Sequence, residues 1–243
     1  MDPHLKFIGP PLDQGPLPAV FYFALSAEDS LELDPFNQPA LHLLPFNIRV
    51  FSITLPGHDI LPAKEALKYW ADHILKEDNI IEAFVTKTRT IINTLMQDHV
   101  IEKDKLAVMG LSRGFFIACH VAASMPLIST ILGFAPLTHL AVAKEFPESA
   151  HSLLMCTLKL NNLENALADR RLRFYIGNHD TRVGTKHCFD FFSSLVQKAV
   201  EKKIRPVPME LIITPSIGHQ GHGTSPETFC QGAKWLGKIL EAR

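Results

Sequence analysis

Lys105-Leu-Ala-Val-Met-Gly-Leu-Ser-Arg-Gly114 runs straight into Phe115-Phe-Ile-Ala-Cys-His-Val-Ala-Ala-Ser-Met125. Residues 105–109 read as a buried strand. Residues 115–125 are apolar nearly all round, which suits a helix packed against a sheet and not an exposed amphipathic one. Only Gly110-Leu-Ser-Arg-Gly114 lies between them, a G-x-S-x-G pattern in the strand–turn–helix setting of a nucleophile elbow. Such a turn holds its serine in a strained backbone conformation with the hydroxyl above the sheet, while the glycines keep side chains out of the crowded junction. The Arg113 N–H then faces the place where an oxyanion would form. The plainer alternative is a Gly-Ser-Gly turn whose serine only caps the helix. The surroundings must decide between the two.

Outward from this stretch, strands and helices alternate. Ala19 to Leu25, Ile48 to Leu55, Thr130 to Phe134, Leu172 to Ile176 and Met209 to Thr214 read as further strands, rich in β-branched and aromatic residues. Between them lie helical patterns over 62–99, 138–170, 187–200 and 226–240. Six strands linked by helices imply right-handed crossovers. The expectation is a single α/β domain over 1–243, a three-layer α/β/α sandwich with a mostly parallel sheet, in which 138–170 forms a small helical cap insertion.

Composition narrows the function. The 243 residues are 47% hydrophobic and carry 24 Lys+Arg against 25 Asp+Glu, a net charge of −1. That balance removes the electrostatic case for nucleic acid or an anionic membrane as a partner. No apolar run nears the roughly 20 residues that span a bilayer, and Met1 to Pro18 lacks the pattern of a signal peptide. The four cysteines, Cys119, Cys156, Cys188 and Cys230, follow neither metal nor disulfide spacing. A cytoplasmic chain is expected. Without a P-loop or G-x-G-x-x-G no nucleotide cofactor is implied, and His219-x-x-His222 without a third ligand is too sparse for a metal site.

In parallel sheets, functional groups gather past the carboxyl ends of the strands. The strand 172–176 ends in Gly177-Asn-His-Asp-Thr-Arg-Val183, which offers Asp180. The strand 209–214 leads into Pro215-Ser-Ile-Gly-His-Gln-Gly-His-Gly223, which offers His219 and His222. Serine needs a base to become nucleophilic, and the base needs a carboxylate to fix its tautomer. The order Ser112, Asp180, histidine supplies all three on separate loops. Distances from Pro208 and to Pro226 favour His219 as the base, with His222 as runner-up.

Three segments together resemble the α/β-hydrolases, nearest the prolyl-oligopeptidase-like and dienelactone-hydrolase-like branches. They are the elbow with its apolar helix, the acid loop Gly177 to Val183, and Leu55-Pro-Gly-His58. The likeness covers about residues 19–240. It implies a cofactor-independent serine hydrolase acting on a small-molecule ester, thioester or short peptide, with Ser112, Asp180 and His219 catalytic. Two features depart from the family pattern. Ala24-Leu-Ser-Ala-Glu28 replaces the usual His-Gly oxyanion motif, so the second donor would be the N–H of Ser26 or Ala27 beside that of Arg113. No accessory domain precedes the hydrolase unit, which weakens a peptidase assignment. Phe115 and Phe116 are expected to wall the substrate pocket. Arg113 and Arg182 either recognise an anionic substrate or pair with nearby carboxylates, the second reading being preferred for Arg182. Acyl transfer on the same triad and a non-catalytic binding role on this fold are the competing readings.

Overall fold

The strands are β1 (Leu5–Ile8), β2 (Leu17–Phe23), β3 (Arg49–Ile53), β4 (Ile101–Leu111), β5 (Thr130–Phe134), β6 (Arg171–Gly177) and β7 (Met209–Thr214). In this computed structural model, which describes residues 3–242, they form one sheet in the order β1-β3-β2-β4-β5-β6-β7. All neighbours run parallel except β1, which pairs antiparallel with β3 through Leu5↔Ile53 to Ile8↔Val50. The helices are α1 (Ala27–Glu32), α2 (Gln38–Leu41), α3 (Ala66–Leu75), α4 (Ile80–Gln97), α5 (Arg113–Ser124), α6 (Leu153–Thr157), α7 (Glu164–Leu167), α8 (Thr185–Glu201) and α9 (Pro226–Glu241).

The expected three-layer sandwich is observed, and the strand pleat explains it. In β2, Ala19, Phe21 and Phe23 point to one face, where α3, α4, α5 and α8 bury Trp70, Phe84, Phe115 and Phe191. Val20 and Tyr22 point to the other, where α1, α2 and α9 contribute Leu31, Ala40, Phe229 and Leu236. A strand buried on both faces reads as a continuous apolar run, because alternation disappears when neither face meets water.

Three elements differ from the sequence reading. The Pro-rich lead-in contains β1, a seventh strand at the sheet edge. It is held there by its ladder with β3, and the segment after it is anchored by Arg49, whose fully buried guanidinium donates to the carbonyls of Pro10, Pro11, Gly15 and Val100. The helical stretch 62–99 is two helices, broken where Glu77 takes φ 58° and restarted where the Asn79 side chain accepts from Glu82 N–H. Residues 138–170 hold α6, α7 and short 3₁₀ turns, with no long helix. The Glu77 carboxylate caps α6 by accepting from the N–H groups of Leu153 and Leu154, at 3.1 and 2.9 Å.

Candidate active site

The candidate side chains Ser112, Asp180, His219 and His222 sit beyond the carboxyl ends of β4, β6 and β7. At the end of β4 the chain turns directly into α5, and Ser112 takes φ 53° and ψ −118°. For a residue with a Cβ this left-handed region is strained. The turn is held by Ser112 N–H donating to Phe134 O at 2.9 Å, and by Leu137 N–H donating to Ser112 O at 3.1 Å. Gly114 is required for a steric reason. A Cβ there would lie 1.8 Å from Phe23 O, since the helix start presses on the end of β2.

Asp180 follows β6, and its carboxylate is fully buried. Its Oδ1 accepts from Arg182 N–H at 2.9 Å and from Val183 N–H at 3.0 Å, which fixes the group and directs Oδ2 towards the histidine loop. There Oδ2 meets His222 Nδ1 at 2.7 Å, and His222 Nε2 meets Ser112 Oγ at 2.9 Å. Once Nδ1–H donates to the carboxylate, Nε2 is left as an acceptor for the serine proton.

The structure brings His222 to Ser112 and Asp180, whereas His219 was the expected base. The loop after β7 turns tightly, with His222 N–H donating to His219 O at 3.1 Å. Thr181 N–H and Oγ1 both bind Gln220 O, at 2.9 and 3.2 Å, which ties this turn to the acid loop. Gly221, at φ 70°, passes so close that a Cβ would lie 2.2 Å from His179 O. These contacts draw the chain down at 220–222 and leave His219 exposed on the rim of the cleft. Counting residues from the flanking prolines missed this, because the turn consumes three residues without advancing.

The other expected residues divide. Arg113 N–H opens α5 beside Ser112. Ala27 N–H is engaged by Thr54 Oγ1 at 3.0 Å and is no oxyanion donor, and neighbouring Leu25 N–H donates to Ser30 Oγ at 3.0 Å. Of the two expected second donors, Ser26 remains. Phe115 and Phe116, at 0% and 1% exposure, line neither lobe of the cleft beside Ser112; Phe115 is a core residue, and Phe116 walls a separate cavity of about 310 Å³ with His139, Met155 and Leu158. Phe115 meets the Phe174 ring edge-on at 4.7 Å, because α5 descends from the elbow beneath the sheet. The walls are instead Leu33, Phe36, Leu111 and Phe229. Leu33 closes α1 and Phe36 lies between α1 and α2, in a stretch where the sequence offered no site residue.

The cleft has two lobes that share Phe36, Lys64, Leu111, Arg113 and His222. The smaller, about 320 Å³, adds Ala24, Leu25, Asp29, Leu33, Ala63 and Ser112 and is mainly apolar. The larger, about 740 Å³, adds Lys144, Glu145, Arg182, His219 and Thr224. Arg182 binds Glu145 through two hydrogen bonds, at 3.0 and 2.7 Å, as preferred from the sequence. Arg113 Nη1 donates to Ala63 O at 3.0 Å and lies 3.3 Å from His58 Nε2. Burial, aided by the Arg113 charge, pushes the His58 pKa down to about 4, so it is neutral at pH 7. Among the described residues no group of three or more His, Cys, Asp and Glu could hold a metal. No helix among them is long and apolar enough to cross a membrane.

No family sequence model and no curated protein sequence matches the chain. Solved structures do. A 2,6-dihydroxy-pseudo-oxynicotine hydrolase aligns over 98% of this chain with a TM-score of 0.66 at 16% identity. Est1E from Butyrivibrio proteoclasticus, solved with ferulic acid bound, aligns over 98% with a TM-score of 0.69 at 11% identity. A prolyl endopeptidase aligns over 94% with a TM-score of 0.59 at 16% identity. The chain has the α/β-hydrolase fold. It matches 95% of the length of Est1E, 64% of the oxynicotine hydrolase and 34% of the endopeptidase.

Proposed function

We propose that the protein is a serine hydrolase that cleaves an ester, thioester or amide through an acyl-enzyme. The observation that carries this reading is the continuous Asp180–His222–Ser112 chain at 2.7 and 2.9 Å. Its serine is strained, its carboxylate buried and its histidine side chain only 21% exposed. A helix-capping serine would need neither partner. The fold of the esterase, hydrolase and peptidase structures it resembles is consistent with this reading.

In this mechanism Ser112 Oγ attacks the carbonyl carbon while His222 Nε2 takes its proton. Asp180 holds Nδ1–H and stabilises the imidazolium as it forms. The oxyanion is bound by Arg113 N–H, where the α5 dipole adds positive potential, with Ser26 N–H as the second donor. His222 returns the proton to the leaving group, and water then repeats the sequence to release the acid. A fluorophosphonate probe should label wild-type protein at Ser112 and leave Ser112→Ala unlabelled. Labelling of the alanine variant at the wild-type level would overturn the assignment. Turnover of para-nitrophenyl esters, measured with and without added alcohol or thiol acceptors, separates hydrolysis from acyl transfer.

A further inference from the structure

Arg113 is the residue after the nucleophile, and its guanidinium lies in both lobes of the cleft beside Ser112. It has no carboxylate partner among the described residues. Glu145, the nearest candidate, is committed to Arg182 by two hydrogen bonds. His58, which Arg113 touches, is neutral. Only Nη1 of Arg113 makes protein hydrogen bonds among the described residues, which leaves Nε and Nη2 unbonded on a side chain that lines the cleft. Burial and the Arg182 charge lower the Arg113 pKa to about 10, so it remains cationic at neutral pH. The larger lobe presents Lys64, Arg113, Lys144 and Arg182 against only Glu65 and Glu145. A partly buried cation whose one nearby counter-charge, Glu145, is hydrogen-bonded to another arginine is costly to leave without a partner of its own. Its free edge has the two-pronged shape that pairs with a carboxylate.

We propose that the Arg113 Nε–Nη2 edge binds a substrate carboxylate. The substrate is then an ester or amide with an anionic group on one side of the scissile carbonyl, in the larger lobe. An apolar group on the other side packs on Ala24, Leu25, Leu33 and Phe36 in the smaller lobe, whose charged lining besides Arg113 is one pair of opposite sign, Asp29 and Lys64. This deepens the serine-hydrolase reading and rests on it.

The test compares kcat/KM within two matched ester pairs. One pair is para-butyryloxybenzoate and its methyl ester, with the carboxylate on the leaving group. The other is para-nitrophenyl hemiglutarate and para-nitrophenyl butyrate, with the carboxylate on the acyl group. Wild type should favour the acidic member of at least one pair by about ten- to a hundredfold, the scale of a charge-assisted hydrogen-bonded pair. In Arg113→Met that ratio should fall towards one, and in Arg113→Lys, a point charge without the fork, it should be intermediate. Thermal unfolding of both variants checks that they fold, and the wild-type ratio stands without them. Neutral-ester turnover without acidic preference, or a preference that survives in Arg113→Met, overturns the carboxylate site alone. No turnover and no fluorophosphonate labelling in wild type overturns the hydrolase reading and this proposal together.

Discussion

The histidine loop carries the sharpest residue-scale test. His222→Ala should lower kcat on a para-nitrophenyl ester by about 10⁴–10⁶, the usual loss for a triad member. His219→Ala, on the exposed rim, should stay within a few-fold of wild type. The reverse pattern would restore His219 as the base. Asp180→Asn should cost about 10⁴ in kcat while keeping the protein folded. Its side-chain oxygen can still accept from Arg182 and Val183 N–H, but its NH₂ would face Nδ1 and enforce the wrong tautomer. A steady-state assay beside a circular dichroism melt checks both halves of that statement.

At the scale of the element, the elbow between β4 and α5 trades stability for exposure of one hydroxyl. Ser112→Gly removes a Cβ from φ 53° and should raise unfolding stability by about 1 kcal/mol, the order of a single strained residue, while abolishing fluorophosphonate labelling. Urea midpoints of the two proteins measure the gain, and a lower midpoint for the glycine variant would contradict the strain argument. Gly114→Ala should do the opposite. A methyl 1.8 Å from Phe23 O forces α5 away from β2, at a cost of more than about 4 kcal/mol, and yields insoluble or unfolded protein on expression.

For the whole molecule, acid is the expected weakness. Burial holds His120, whose Nε2 meets Leu158 O at 3.1 Å, at a pKa of about 4, and His58 behaves in the same way. The unfolded chain protonates these rings near 6.5, whereas the folded chain resists down to about 4. Stability is therefore full at neutral pH and falls as pH drops through that window. Linkage puts the loss for His120 at about 2 kcal/mol at pH 5. His120→Gln, whose amide can still donate to Leu158 O, should flatten the dependence of the urea midpoint on pH between 7 and 5. An unchanged slope would show that His120 titrates normally. Arg49→Met tests the other whole-molecule tie. Loss of donors to four carbonyls should cost about 2–4 kcal/mol and loosen β1 from the sheet, read as faster amide exchange at Leu5 to Ile8.

The sequence by itself determined the layered fold, because both its signals are local. Apolar runs of strand length alternate with helical periods, and Gly110 to Gly114 leaves one way for β4 to enter α5. It also determined the candidate serine and carboxylate, since each lies within a few residues of a strand end that its own pattern marks. Tertiary structure decided what depended on contacts between distant segments. The choice of His222 over His219 turns on Thr181 binding Gln220 O, a contact between loops 39 residues apart. The edge strand β1 is set by its ladder with β3, with Arg49 gathering the carbonyls of the segment that follows it, and four residues with prolines after them carry too little pattern to announce it. The engagement of Ala27 N–H by Thr54, the burial of Phe115 and Phe116, and the commitment of Glu145 to Arg182 and not to Arg113 are likewise properties of neighbours. Spacing along the chain says which groups reach the same end of a sheet. Only packing says which of them face each other.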